Sequence, residues 1–368
     1  MAKKIRYTLT PYAGNKADYF HDLGKYDTII DFFGGSLGGT LKTAIANPSA
    51  KYYVAEASNC QRALIDFFLN EHFYDLYSIC DAAKDIIDMF FDYSDYQSAS
   101  KWLSKIYSRK NGVSELWLAA LSVMRRFFFS SILRTTPGSG DINVWISVRK
   151  ILGDTKWKKL VAEYYPDIDY NNLTTQQTKQ FNVEFAQKVF ENGILYRAMI
   201  DSVNAWYECT KPVFDEWQSQ GRNAVVVDNY KQLLDSSIVQ GKTLLYIDPP
   251  YYNSNKGKFR DSEGRLRSHK QTPSYENHDP ASEDTWKMFS DCLEFGLRNN
   301  CDMVLCNYTS DRFVAAIEAI KGQYNLIEVV AGKECKCTGQ KSKYTTMPIG
   351  QEYVLFATPK QVYQSLVA

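Results

Sequence analysis

An acid, two prolines and an aromatic ring stand in a row at Asp248-Pro249-Pro250-Tyr251, directly after the apolar run Thr243-Leu244-Leu245-Tyr246-Ile247. The apolar run reads as a buried strand, and the proline pair forces the chain out of a sheet along a rigid, extended path. Asp248 is therefore expected at the carboxyl end of a strand, where open α/β sheets hold ligands. Pro250 lacks an amide hydrogen and keeps Pro249 extended, which leaves the Pro249 carbonyl as an acceptor beside the Asp248 carboxylate. Two acceptors and one aromatic face suit an exocyclic amine such as adenine N6. The lone pair of that nitrogen is delocalised into the ring. Acceptors gripping both hydrogens favour a pyramidal nitrogen while Tyr251 stacks on the base. Methylation of an amine is the chemistry that fits; without a ligand, the same residues would be a strand-terminating turn with Tyr251 packed in the core.

A second constellation lies nearer the N-terminus. Asp31-Phe32-Phe33-Gly34-Gly35-Ser36-Leu37-Gly38-Gly39-Thr40 follows one strand-like run and precedes a helical one. Its glycines let the backbone turn tightly and approach a ligand closely. The run is not a strict GxGxxG, so alone it specifies no nucleotide. Glu56, at the end of the next strand-like run, stands where an acid accepts from ribose hydroxyls in a mononucleotide-binding unit. Upstream, Pro11-Tyr12-Ala13-Gly14-Asn15-Lys16 combines a ring and a lysine in a glycine-bearing turn. With S-adenosylmethionine as ligand, Lys16 would meet the carboxylate end, and aromatic faces and acids would attend the sulfonium.

The elements that must position these groups follow from hydrophobic pattern. Strand-like runs occur at 28–32, 51–55, 224–228, 243–247, 303–306, 324–330 and 352–357. Helical patterns separate several of them, which predicts an α/β fold with a Rossmann-like, seven-stranded sheet. Ser282 with Glu283 and Asp284 predicts a helix start, and the Asn299-Asn300 pair its end. Ser310 and Asp311 start another helix that stops at Gly322. Between about Asn70 and Asn223 strand signals thin out; Trp117, Ala120, Leu121, Met124 and Phe128 follow helical spacing. The expected organisation is a discontinuous catalytic domain, 1–70 with 220–368, split by a mostly helical insert, 71–219, that recognises the target. The segment 253–279 reads as a polar loop bearing Lys256, Lys258, Arg260, Arg265, Arg267 and Lys270 against Asp261 and Glu263. A basic loop beside a site is where a phosphate backbone is gripped, although charge runs are as often merely solvated.

Composition bounds the rest. At 368 residues the chain is long for one core, which favours a catalytic domain plus an inserted one. A net charge of +1 means that any nucleic-acid surface must be a local patch. The eight cysteines lack paired CxxC spacing and only four histidines are present, which argues for reduced thiols and against zinc. The N-terminus has charge without an apolar segment behind it, and no stretch approaches a membrane span. A cytoplasmic protein without membrane partners is expected, nucleoid-associated if DNA is its substrate.

In the order in which they occur, these stations resemble the Dam-type class of N6-adenine DNA methyltransferases, whose chains run from an AGGK-like turn through an FxGxG-like loop to DPPY. The resemblance covers both chain ends and also matches the group whose recognition domain is inserted before DPPY. It implies S-adenosylmethionine as cofactor, with Tyr12, Ala13, Gly14, Lys16, Asp31, Phe33, Gly34, Gly35, Ser36, Glu56, Asp228, Asn229 and Asp248 around it. It implies Asp248, Pro249, Pro250 and Tyr251 as the catalytic group and double-stranded DNA as substrate; some members of the family work with a cognate restriction endonuclease, and the sequence leaves open whether one exists here. Arg126 and Arg134, in a segment loosely similar to the family's recognition segment, join the basic loop as expected DNA contacts. Cys306-Asn307-Tyr308 weakly matches a later SN-type segment. Two positions depart from the pattern: Asn15 replaces the second glycine of the turn, where asparagine tolerates left-handed backbone, and Ser36 replaces the second glycine of the loop. The resemblance transfers neither a recognition sequence nor an oligomeric state.

Other readings predict different observables. N4-cytosine methylation uses the same amine logic, and RNA is an alternative substrate. A catalytically silent DNA-binding relative would keep the fold and bind no S-adenosylmethionine. A nicotinamide dehydrogenase would explain the glycine loop and Glu56 but gives Asp248 to Tyr251 no role.

Overall fold

The structure, a computed structural model, describes residues 7–9, 23–70, 75–108, 113–134, 142–250, 258–260, 266–268, 283–308, 311–335 and 350–360. It divides into two compact units. One takes in Asn59–Glu216 with the described residues among 1–11; the other comprises Trp217 onward and the described residues of Tyr12–Ser58.

The second unit is an α/β fold around a seven-stranded mixed sheet. Its strands are β1 (Thr28–Asp31), β2 (Lys51–Ala55), β3 (Val225–Val227), β4 (Thr243–Ile247), β5 (Asp302–Tyr308), β6 (Tyr324–Cys335) and β7 (Gly350–Pro359). The spatial order is β6-β7-β5-β4-β1-β2-β3. From β5 to β3 all neighbours pair parallel, β7 is antiparallel to both β5 and β6, and β6 closes that edge. β1 and β4 are buried along their whole length, which is why their sequences read as unbroken apolar runs without alternation. Chain order departs in opposite directions from the β1–β4 pair, so the topological switch point lies between these two strands. There Asp31 is in register with Tyr246 of β4 and with Val54 of β2. All seven expected strands are present; β1 ends one residue early at Asp31, β3 is one residue shorter at each end, and β5, β6 and β7 run beyond their expected bounds.

Two helices fix the flank of this sheet beside β5. Helix α10 (Glu283–Arg298) opens with Glu283 and Asp284 and ends with Arg298, complementing its dipole at both ends. It stops where Asn300 takes a left-handed conformation, φ 52, and the Cys301 amide bonds back to the Gly296 carbonyl at 3.0 Å, a closure asparagine tolerates. Gly296 lets α10 lie close on β5, since a Cβ there would overlap the Met303 sulfur. Helix α11 (Asp311–Ile320) ends just before Gly322. Phe289, Phe295, Met303, Leu305 and Phe313 share one core with Ile247.

The first unit is largely helical: α2 (Asn59–Leu69), α3 (Leu76–Phe91), α4 (Tyr96–Ser108), α5 (Glu115–Phe128), α6 (Val148–Leu152), α7 (Asp154–Tyr164), α8 (Thr175–Glu191) and most of α9 (Ile194–Gln218). α8 carries a full capping box between Thr174 and Gln177. Of the expected apolar stripe, Ala120, Leu121, Met124 and Phe128 are buried and Trp117 is partly so. One element differs from expectation. Phe129–Arg134 and Ile142–Ile146 form an antiparallel hairpin within this helical unit. Tyr96 holds it in place, its hydroxyl donating to the Ile146 carbonyl at 3.0 Å. The N-terminal residues dock here too, for the Trp206 indole donates to the Leu9 carbonyl at 2.7 Å. No helix among the described residues is long and apolar enough to cross a membrane.

Candidate active site

Three carboxylates stand at or just beyond the carboxyl ends of three adjacent parallel strands: Asp31 on β1, Glu56 after β2 and Asp248 after β4. Asp31 is 1 % exposed. One of its oxygens accepts from the Phe33 amide at 3.1 Å and the other from the Thr40 hydroxyl at 2.6 Å. The Thr40 oxygen also lies 2.6 Å from the Tyr52 hydroxyl. Since Thr40 spends its only proton on Asp31, Tyr52 is the donor in the second bond, and a buried Tyr52–Thr40–Asp31 chain results. Burial pushes the Asp31 carboxyl up to about 7; its hydrogen bonds from Thr40 and Phe33 oppose this, and the negative charges of Asp248 and Glu56 add to it.

Glu56 orders the glycine loop. Its two oxygens accept from the Gly35 amide at 2.9 Å and the Ser58 amide at 2.7 Å. The Gly34 amide binds the Ala55 carbonyl, and the Leu37 amide the Gly34 carbonyl. Gly35 is left-handed at φ 50, and Leu37, a non-glycine, is held at φ 58, a conformation that costs on the order of 1 kcal/mol for such a residue. Ser36 is buried. The loop then passes into the short helix α1 (Leu41–Ala46). Gly39 is pressed on β4, where a Cβ would collide with the Tyr246 ring. Tyr246 is itself buried, two residues before Asp248. The glycine loop therefore packs directly on β4, the strand that leads into Asp248.

On the other side of the loop, Phe33 lies against Tyr230 with ring centroids 5.4 Å apart. The Tyr230 hydroxyl donates to Asp291 at 3.1 Å, and Asp291 pairs with Lys287 at 2.9 Å. Burial and the charge of Asp291 raise the Tyr230 phenol well above its ordinary range. Asp228 and Asn229 follow β3 and are exposed; Asn229 caps its own turn, its side chain accepting from the Lys231 amide at 3.0 Å. Asp248 and Pro250 are partly exposed and Pro249 is buried.

The structure thus gathers Asp31, Phe33, Gly34, Gly35, Ser36 and Glu56 around one loop, with Asp248 close enough to act electrostatically on Asp31. Tyr12, Ala13, Gly14, Asn15, Lys16, Tyr251, Lys256, Arg265 and Lys270 lie outside the described residues. Lys258, Arg260 and Arg267 fall on two short strands, Lys258–Arg260 and Leu266–Ser268, that pair antiparallel; the expected loop is partly a hairpin. Arg134 ends the first strand of the helical unit's hairpin, and Arg126 lies in α5.

Thr40, Tyr52, Gly39 and Tyr246 complete the site without any motif in the sequence marking them out. Thr40 is visible as the last residue of the glycine run, but its link to Tyr52 depends on how α1 and β2 pack. Among the described residues no group of three His, Cys, Asp or Glu side chains is arranged to hold a metal ion. A scan against models of known protein families and a search of curated proteins find no match to this chain.

Proposed function

We propose that this chain transfers the methyl group of S-adenosylmethionine to the N6 amine of adenine in double-stranded DNA. The observation that carries the proposal is the three-carboxylate edge at the switch point, with the glycine loop folded against it. Three acids around one loop, one of them fully buried, favour a cationic ligand over a phosphorylated one. A dinucleotide pyrophosphate would meet these charges unfavourably, which argues against the dehydrogenase reading. A seven-stranded α/β sheet is also the fold that the family resemblance implies.

S-adenosylmethionine supplies an electrophilic methyl on a cationic sulfur. Asp31, Glu56 and Asp248 are suited to balance its sulfonium and ammonium charges, and the Phe33–Tyr230 pair offers an apolar edge for its adenine. Asp248 and the Pro249 carbonyl accept the two hydrogens of the target amine, and Tyr251 stacks on the base. Because that amine is paired within duplex DNA, the target base leaves the stack before reacting. Orientation and fixed charges would provide most of the acceleration; the amine nitrogen would bond the methyl carbon as the methyl–sulfur bond breaks, the neutral thioether would leave, and the proton from nitrogen would pass to solvent.

The test compares wild type with Asp248→Ala using tritiated methyl donor and duplex DNA. Transfer is expected from wild type and none from the variant, with S-adenosylmethionine binding by both in calorimetry. Full activity of Asp248→Ala would refute the assignment, and a wild type that binds no S-adenosylmethionine would refute the cofactor.

A further inference from the structure

The outer faces of α6 and α7 carry a charge pattern that the site above does not use. Between Val148 and Tyr164 the chain places Arg149, Lys150, Lys156, Lys158 and Lys159 against two acids, Asp154 and Glu163. That stretch is net +3 in a chain whose total is +1, so the remainder is net −2. All five cations are exposed. The buried stripe of α7, Trp157, Leu160 and Val161, turns Lys158 and Lys159 outward. Thr155 and Ala162, also exposed and both small, share that face. Arg149 is held in place: its guanidinium lies 4.8 Å from the Trp157 ring centroid, and its Nε donates to Asp154 at 2.6 Å.

Charge runs are commonly just solvated helix faces. Lysines paired with an acid one turn away occur elsewhere in the chain, as in Lys84–Asp81, Lys211–Asp215, Lys287–Asp291 and Lys321–Glu318, whereas the exposed Lys101, Lys105 and Lys179 form no ion pair among the described residues. Lys156, Lys158 and Lys159 form no ion pair among the described residues, although Glu163 stands one turn beyond Lys159. The other acid of the stretch, Asp154, is engaged by Arg149 at 2.6 Å, and Lys158 acts on it electrostatically without forming an ion pair. Lys158 and Lys159 on the exposed side of α7, with Arg149 fixed by Trp157 and Asp154, present positive charge suited to a polyanion.

We infer that the α6–α7 face of the first unit is a docking surface for the phosphate backbone of duplex DNA. The choice of DNA among polyanions rests on the proposed function. The surface contacts phosphates without reading bases, so it contributes affinity that falls with salt and carries no sequence preference.

The experiment follows binding of the full-length chain to a fluorescent duplex by anisotropy from about 50 to about 300 mM KCl, a range in which counterion release is measurable. S-adenosylmethionine is left out, so that binding is read apart from transfer. Lys158→Gln/Lys159→Gln is expected to lower the magnitude of the slope of log K against log salt by about 1.8, or roughly 60-fold in affinity at about 0.1 M. Lys156→Gln alone lowers it by about 0.9. Lys211→Gln, on an exposed lysine with its own acid, leaves it unchanged, and thermal melts of all variants match wild type. An unchanged slope in the double variant, absence of duplex binding by wild type, or preference for RNA or phosphatidylserine vesicles each overturns the inference. A slope that changes as expected in a chain that transfers no methyl would retain this surface while removing the proposed activity.

Discussion

Replacing Asp31 by Asn removes a charge that the fold holds at a cost, and the size of that cost follows from its surroundings. The carboxyl is 1 % exposed and its pKa is raised from 3.8 to about 7. Below about pH 4 both folded and unfolded chains carry the proton, and Asp31 costs nothing. As pH rises from about 4 to about 7, the unfolded chain releases its proton while the folded chain keeps it, so stability falls across that window and levels off above it. A shift of roughly three units corresponds to about 4 kcal/mol at about pH 8. The amide of the variant keeps an acceptor for the Phe33 amide and a polar partner for Thr40, at some loss of hydrogen-bond strength. Asp31→Asn is therefore expected to be about 2–4 kcal/mol more stable than wild type at about pH 8 and nearly equal to it at about pH 4. Urea denaturation at acidic, neutral and alkaline pH reads this directly. A stability difference that does not grow with pH would show that Asp31 is not carrying a buried charge. The same variant is expected to bind S-adenosylmethionine more weakly, the usual relation between a strained charge and the site that uses it.

Thr40→Val keeps shape but removes the hydroxyl between Asp31 and Tyr52; it is expected to destabilise by about 1–3 kcal/mol and to move the Asp31 titration still higher, both visible in the same denaturation series. Gly39→Ala drives a Cβ into the Tyr246 ring and should cost about 1–3 kcal/mol. Adding Tyr246→Leu restores part of that loss, whereas simple additivity in the double variant would show that the contact is not the cause. Arg222→Ala removes a guanidinium that donates to the carbonyls of Ala44, Asn47, Pro48 and Ala50 and lies 4.2 Å from the Trp217 ring centroid. A loss of about 2–4 kcal/mol in thermal or chemical denaturation is expected, and a loss below about 0.5 kcal/mol would contradict the capping role of that side chain.

The sheet is legible in the sequence because its central strands are buried on both faces. Thr28 to Asp31 and Thr243 to Ile247 therefore appear as continuous apolar runs, and the acids that terminate them mark the edge where the site lies. The helix ends at Glu283 and Asn300 are legible for a related reason, since caps and left-handed closures have local residue signatures. The hairpin within 129–146 is obscured because Phe127, Phe128 and Phe129 prolong the apolar pattern of α5. The turn-forming run Pro137-Gly138-Ser139-Gly140-Asp141 between Phe129–Arg134 and Ile142–Ile146 is the signal for it. The Tyr52–Thr40–Asp31 chain has no local signature. It joins a strand, a loop and a second strand through side-chain hydroxyls, and the β1–β2 register together with the placement of Thr40 at the start of α1 brings them together. Likewise the lysines of α7 are hidden in a chain of almost zero net charge; which of them face outward without a paired acid depends on the helix's buried stripe.

Whether this chain methylates adenine is decided by mass spectrometry of nucleosides from duplex DNA incubated with the protein and S-adenosylmethionine. N6-methyladenine is expected with wild type and none with Asp248→Ala. Unmodified DNA, or N4-methylcytosine in place of N6-methyladenine, would contradict the assigned reaction.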